Sequence, residues 1–150
     1  MEINTIITKV LNGTILAVKS VTPFSLDVQT PSLIRQPFEQ ESISILIGMT
    51  GDIRGRIIIE GTNGCMIKIG ESMFGMPLEG EMLESFAAEL GNMLAGNFAT
   101  SLAGENTLID ITPPTVIVGN TKMFGFHEAI NLPISLKGVG TLHIILMIEM

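Results

Sequence analysis

One long amphipathic segment constrains what the rest of the chain can do. From Glu79 to Leu102 apolar residues recur at Leu83, Phe86, Leu90, Met93 and Leu94, the three-and-four spacing of one helix face. A helix with a single apolar stripe has to lie on another apolar layer. The chain offers a sheet for this purpose. From Phe24 to Glu60 the period changes to two: Ser42–Met49 alternates, Thr50-Gly51-Asp52 supplies turn chemistry, and Arg54–Glu60 follows as the returning strand of a β-hairpin.

The remaining elements follow the same two periods. Ile3, Ile6, Ile7, Val10, Leu11 and Ile15 mark an amphipathic helix over Ile3–Val18, with Asn4 or Thr5 as its cap and an end before Pro23. A short helix spans Asn63–Phe74, ahead of Gly75 and Pro77. Strands are predicted at Leu108–Ile111, Thr115–Val118, Met123–Phe126, Ala129–Leu136 and Gly140–Ile148, with a turn at Lys137-Gly138. Helices and strands come in blocks instead of strict alternation. The predicted class is therefore α+β, two long helices packed on a largely antiparallel sheet. Lys9-Val-Leu-Asn12 faintly echoes Glu89-Leu-Gly-Asn92, which suggests an internal duplication, although so short an echo is also what chance amphipathic similarity produces.

With 150 residues and 46% hydrophobic content, the chain has material for one core, and a single domain over residues 1–150 is expected. A net charge of −7 with only eight scattered Lys and Arg argues against nucleic acid and favours a basic protein surface as partner. The lone Cys65 excludes an internal disulfide. The first twenty residues lack the basic start, apolar stretch and cleavage site of a secretory signal, and no run approaches the roughly eighteen apolar residues of a membrane span. A cytoplasmic protein without membrane contact is expected.

Several chemistries find no support. His127 and His143 have no Cys or carboxylate at metal-ligand spacing, so no metal site is expected and the histidines are read as solvent-facing or satisfied core groups. Cys65, in Asn-Gly-Cys-Met, is expected to be a buried inert thiol. Glycines 48, 51, 55, 61 and 64 form no phosphate-binding loop. The ten methionines, spread along the chain, are read as core gap-fillers. Pro113 and Pro114 are expected to end one strand and set the next.

What the apolar stripe does not explain is the opposite side of the long helix. Ser85, Glu89 and Asn92 fall at i, i+4 and i+7 and share a face with Gly96 and Ala99. Between Ser85 and Ala103 the only long charged side chain is Glu89, set among Ala and Gly. Ala88, Gly91 and Gly96 would let another molecule come close, or Gly91 and Gly96 would serve close packing against a sheet or another helix, and the glycines cost about 1 kcal/mol each in helix propensity relative to Ala. An isolated Glu-x-x-Asn is common by chance and is then an ordinary surface pair. Here the pattern is longer. Ser85, three residues, Glu89, two residues, Asn92, followed by Asp110-Ile-Thr-Pro-Pro114, resembles the CheC/CheX/FliY family of chemotaxis phosphatases. Twenty-one residues separate Asn92 from Pro114, one fewer than in the family pattern, which a loop absorbs.

The resemblance implies a CheX-like domain that hydrolyses the aspartyl phosphate of the response regulator CheY or a related receiver domain. The implied catalytic residues are Glu89 and Asn92, with Ser85, Ala88 and Gly96 touching the partner. Asn92 would orient the attacking water and Glu89 would pair with the receiver's active-site Lys. No cofactor is implied for this chain; Mg²⁺ is expected on the phosphorylated partner. The resemblance also implies a homodimer, and Thr141–Glu149 is read as a strand with an exposed edge available for it. The first helix is expected to be silent, because Lys9 stands where the carboxylate would be. A second function class stays open: a non-catalytic adaptor that uses the same helix to dock a receiver or a flagellar-switch component.

Overall fold

The computed structural model describes the whole chain except residues 1–2, 36, 41, 103–107, 127 and 150. In chain order the elements are α1 (Ile3–Val21), β1 (Leu26–Val28), β2 (Ser32–Arg35), β3 (Phe38–Gln40), β4 (Ile43–Gly51), β5 (Arg54–Gly61), α2 (Asn63–Phe74), α3 (Glu81–Leu102), β6 (Ile109–Ile111), β7 (Thr115–Val118), β8 (Thr121–Met123), β9 (Glu128–Leu136) and β10 (Gly140–Glu149). All described strand pairings are antiparallel. Four long strands, in the order β9, β10, β5, β4, form the centre of an eight-stranded sheet. β1 and β2 both add to β9 at one edge, β6 and β7 both add to β4 at the other, and β3 with β8 makes a separate two-stranded ribbon. The α+β class with helices on an antiparallel sheet is as the blocks of periodicity indicated.

Period two sorts the strands' side chains between two layers. Ile57 and Ile59 of β5, with Ile144 and Leu146 of β10, join Leu83, Phe86, Leu90, Leu94 and Phe98 of α3 in the main core between sheet and helices. Ile58 and Ile145 point the other way, into a smaller cluster with Phe38 and Phe126. Burying one such Leu or Ile fully is worth about 1.5–3 kcal/mol, which pins the helix to the sheet in one rotation and leaves its polar line outward. α1 packs on α3 at Gly13, where a methyl group would lie 3.5 Å from Ser101 Cβ and 3.6 Å from Leu102 Cδ2.

Local signals fix the ends of α2. The Thr62 hydroxyl accepts from the Cys65 N–H at 3.1 Å, an N-cap, and Gly75 closes the helix at φ 74°, donating its N–H to the Glu71 carbonyl at 2.7 Å. The tip of the β4–β5 hairpin is tied to the start of β6: the Leu108 N–H donates to Asp52 Oδ2 at 2.8 Å and the Asp52 N–H donates to the Leu108 carbonyl at 2.7 Å.

Several expectations are corrected. β10 is not an edge strand: it pairs β9 on one side and β5 on the other, so its backbone N–H and C=O groups are satisfied along both sides. Asn4 and Thr5 lie inside α1 instead of capping it. The strand anticipated at Met123–Phe126 is Thr121–Met123, and Phe126 instead fills the smaller cluster. The short strands β1, β2 and β3 had no separate signal. Met49, Met66 and Met147 are buried gap-fillers, but Met76 and Met82 are half or more exposed, so the core reading fails for them. His127 lies outside the described residues.

Candidate active site

α3 presents Ser85, Ala88, Glu89, Asn92 and Gly96 to solvent on one face. The face exists because the buried set, Leu83, Phe86, Ala87, Leu90, Gly91, Leu94, Ala95 and Phe98, occupies the other. Glu81 and Glu84 in the first turn favour the helix N-terminus electrostatically.

The two asparagines of α3 differ in a way that bears on chemistry. Asn97 turns back on its own helix and donates from Nδ2 to the Met93 carbonyl at 2.9 Å, and the Thr100 hydroxyl donates similarly to the Gly96 carbonyl at 3.1 Å. Among the described residues, neither the Asn92 carboxamide nor the Glu89 carboxylate has a hydrogen-bond or ion-pair partner within the chain. A free carboxamide and a free carboxylate three residues apart, with Cβ atoms about 5–6 Å from each other, can both address one small group on an incoming surface.

Two small residues of this helix part company. Gly96 has no heavy atom within 4 Å of where a methyl group would stand, which leaves the surface open. Gly91 faces inward: a methyl group there would lie 2.9 Å from Ile45 Cγ2 and 3.1 Å from Pro114 Cβ. Of its two expected roles, partner approach is ruled out and packing holds. The Pro113-Pro114 segment between β6 and β7 is itself clamped to β4. The Gly48 N–H donates to Thr112 Oγ1 at 2.9 Å and the Thr112 N–H donates to the Gly48 carbonyl at 2.9 Å. A methyl group at Gly48 would meet that Oγ1 at 2.9 Å, so a glycine there admits the threonine. The stretch Thr112-Pro-Pro114 thus supports α3 one residue from Asn92.

A sequence profile, Chemotaxis phosphatase CheX, matches residues 43–124, from β4 through α3 to just beyond β8. The CheY-P phosphatase CheX of Thermotoga maritima is 35% identical over 127 residues, which cover 81% of this chain and 79% of that protein. The chain belongs to the CheX family of chemotaxis phosphatases. Membership makes it a phosphatase, a hydrolase by class. Solved structures share the fold. A CheC-like superfamily protein from Shewanella sp. PV-4 superposes with a TM-score of 0.80 at 24% identity, covering 100% of both chains. CheX in the CheX–CheY–BeF3–Mg²⁺ complex from Borrelia burgdorferi gives a TM-score of 0.78 at 22% identity, covering 96% of this chain and 97% of that one.

Away from the α3 face, the described residues offer the following groups. Among the described residues no three His, Cys, Asp or Glu side chains are grouped to hold a metal ion. His143 Nδ1 lies 3.2 Å from Asn131 Oδ1, a satisfied half-buried pair on neighbouring strands. Cys65 is 2% exposed, and burial pushes its thiol above the usual cysteine range, with Lys68 pulling weakly the other way. It is an inert thiol of the core. Lys9 and Asn12 line a shallow groove beside Gly13 and Ser101, with Lys9 half-buried and Asn12 exposed. Among the described residues no helix is long and apolar enough to cross a membrane.

The feature that sequence reasoning missed is a hollow of about 530 Å³ beside the polar line, lined by Phe74, Met76, Leu78 and Met82 together with Ser85 and Glu89. The apolar loop Phe74-Gly-Met-Pro-Leu78 was its signal, overlooked because methionine was assigned to the core.

Proposed function

We propose that this chain, as one CheX-like domain over residues 1–150, hydrolyses the aspartyl phosphate of a CheY-like receiver in the cytoplasm. The observation that carries the reading is the uncommitted pair Glu89 and Asn92 on an open helix face, in contrast to the self-bonded Asn97. The activity in the name of the Thermotoga relative supports it, as does the Borrelia protein of the same fold found in complex with CheY.

The chemistry asks little of the phosphatase. An acyl phosphate has a good leaving group, so catalysis reduces to placing water in line and holding it there. The Asn92 carboxamide oxygen accepts one hydrogen of the water and turns its lone pair toward phosphorus. The new P–O bond forms as the bond to the aspartyl carboxylate breaks; the carboxylate leaves with the electron pair, and the water's protons end on phosphate and solvent. Mg²⁺ held by the receiver would supply charge neutralisation for the phosphoryl group. Glu89 forms a charge-assisted bond with the receiver's active-site Lys and sets the depth of insertion. Ser85, Ala88 and Gly96 contact the receiver around that point.

The test is phosphate release from a phosphorylated receiver with and without the protein. Acceleration is expected; binding without acceleration would replace this reading with a docking module. We also propose a two-fold homodimer. With β10 interior, the edges left for it are those of β1 and β2 or of β6 and β7, which expose Val28, Leu33 and Val118. Light scattering should report twice the chain mass at micromolar concentration; a monomer would remove the claim.

A further inference from the structure

The hollow next to Glu89 has a construction that the phosphatase chemistry does not call for. Leu78, 5% exposed, anchors the loop between α2 and α3 by filling the space over Gly70, where a methyl group would stand 2.5 Å from Leu78 Cδ1. With that anchor set, Phe74 at the end of α2, Met76 in the loop and Met82 in the first turn of α3 still point outward at 55%, 50% and 54% exposure. Phe74 is held there by an edge-to-face contact with the buried Phe86, ring centroids 5.6 Å apart at 90°. Three large apolar side chains grouped around one concavity are more than the scattered single exposures of an ordinary surface.

Two further observations say what covers it. Ser85 and Glu89 are themselves part of the wall, so a body seated on the polar line of α3 also covers the hollow. The charged residues in the wall are both acidic, Glu81 and Glu89, and from Ile69 to Thr121 the sequence holds no Lys or Arg, while Glu79 and Glu84 nearby in the chain are exposed. An apolar floor whose charged wall residues are both carboxylates matches an apolar side chain flanked by Lys or Arg.

We infer that the Phe74–Met76–Met82 hollow is a docking site for the receiver itself, taking an apolar side chain that lies among basic residues beside its phosphorylated aspartate. The inference rests on the receiver-phosphatase reading. It assigns affinity to this hollow and chemistry to Asn92, so the two separate kinetically. Methionine suits the task because its unbranched, polarisable chain adapts to the side chain it receives.

The test is the double variant Met76→Gln/Met82→Gln, which changes two exposed side chains and keeps their length. Titration with a beryllofluoride-loaded, Mg²⁺-bound receiver should show Kd raised about tenfold, and dephosphorylation should show KM raised about tenfold with kcat within about twofold. Circular dichroism melting confirms that the variant is folded. Unchanged Kd and KM in a variant that melts like the parent would overturn the inference while leaving the phosphatase reading intact. Parent protein that binds the loaded receiver without hydrolysing it, with binding weakened in the variant, would overturn the phosphatase reading and support the hollow. If the variant instead converts a dimer to a monomer with receiver affinity unchanged, the hollow is a self-contact and the inference is overturned.

Discussion

Gly91 lies against the ring of Pro114, so close that a methyl group at residue 91 would stand 3.1 Å from Pro114 Cβ and 2.9 Å from Ile45 Cγ2. Because the Thr112 backbone and hydroxyl are bonded to Gly48 of β4, Pro114 is a fixed support, and Gly91 lets α3 settle on it one residue before Asn92. The sheet thereby sets the height at which the carboxamide stands.

The two glycines of α3 should therefore respond oppositely to the same change. Gly91→Ala gains about 1 kcal/mol of helix propensity and meets overpacking of about 1–3 kcal/mol, for a net loss of stability. Gly96→Ala meets nothing within 4 Å and should gain about 0.5–1 kcal/mol, while its added methyl obstructs the receiver and lowers the phosphatase rate. Denaturant melts of both variants with activity assays check this. A Gly96→Ala protein that is both more stable and fully active would remove Gly96 from the contact.

Asn92→Ala should abolish most of the acceleration of receiver dephosphorylation. Loss of one group aimed at the transition state costs roughly 3 kcal/mol, about two orders of magnitude in rate. Stability should not fall, since Asn92 has no partner to lose among the described residues. Stopped reactions with radiolabelled receiver give the rate directly; parent-like turnover would exclude the water-orienting role.

Glu89→Ala should weaken productive association by about 2–5 kcal/mol, because the receiver's Lys would be left without its partner in a water-poor contact. The helix should gain slightly, Ala being the better helix former. Titration against the loaded receiver measures the loss. Unaltered affinity and rate would place Glu89 outside the interface.

The first helix should be silent. Lys9 is half-buried in the groove against α3, and its charge would repel the receiver's Lys where Glu89 would attract it. Lys9→Ala/Asn12→Ala should keep the full rate per chain. A drop to about half with an unchanged melt would mean a second site on α1.

Residue spacing by itself determined the elements that depend on neighbours along the chain. The period of three and four in α3, the alternation of β4 and β5, and the Gly75 stop of α2 act over a few residues, so Asn63–Phe74 emerged with the bounds the structure has. The shared face of Ser85, Glu89 and Asn92 is of the same kind. What only the tertiary structure decided depends on partners far away in the chain. β10 sits inside the sheet because β9 and β5 both pair with it; no residue within β10 says which strands those will be. Gly91 and Gly96 look alike in sequence, and only Pro114 and Ile45 arriving beneath one of them makes it a packing residue and leaves the other open. Met76 and Met82 look like core residues until Leu78 takes the place over Gly70 and leaves them outside. Local periodicity fixes which side chains share a face, whereas which faces meet is settled by contacts between distant segments competing for the same buried surface.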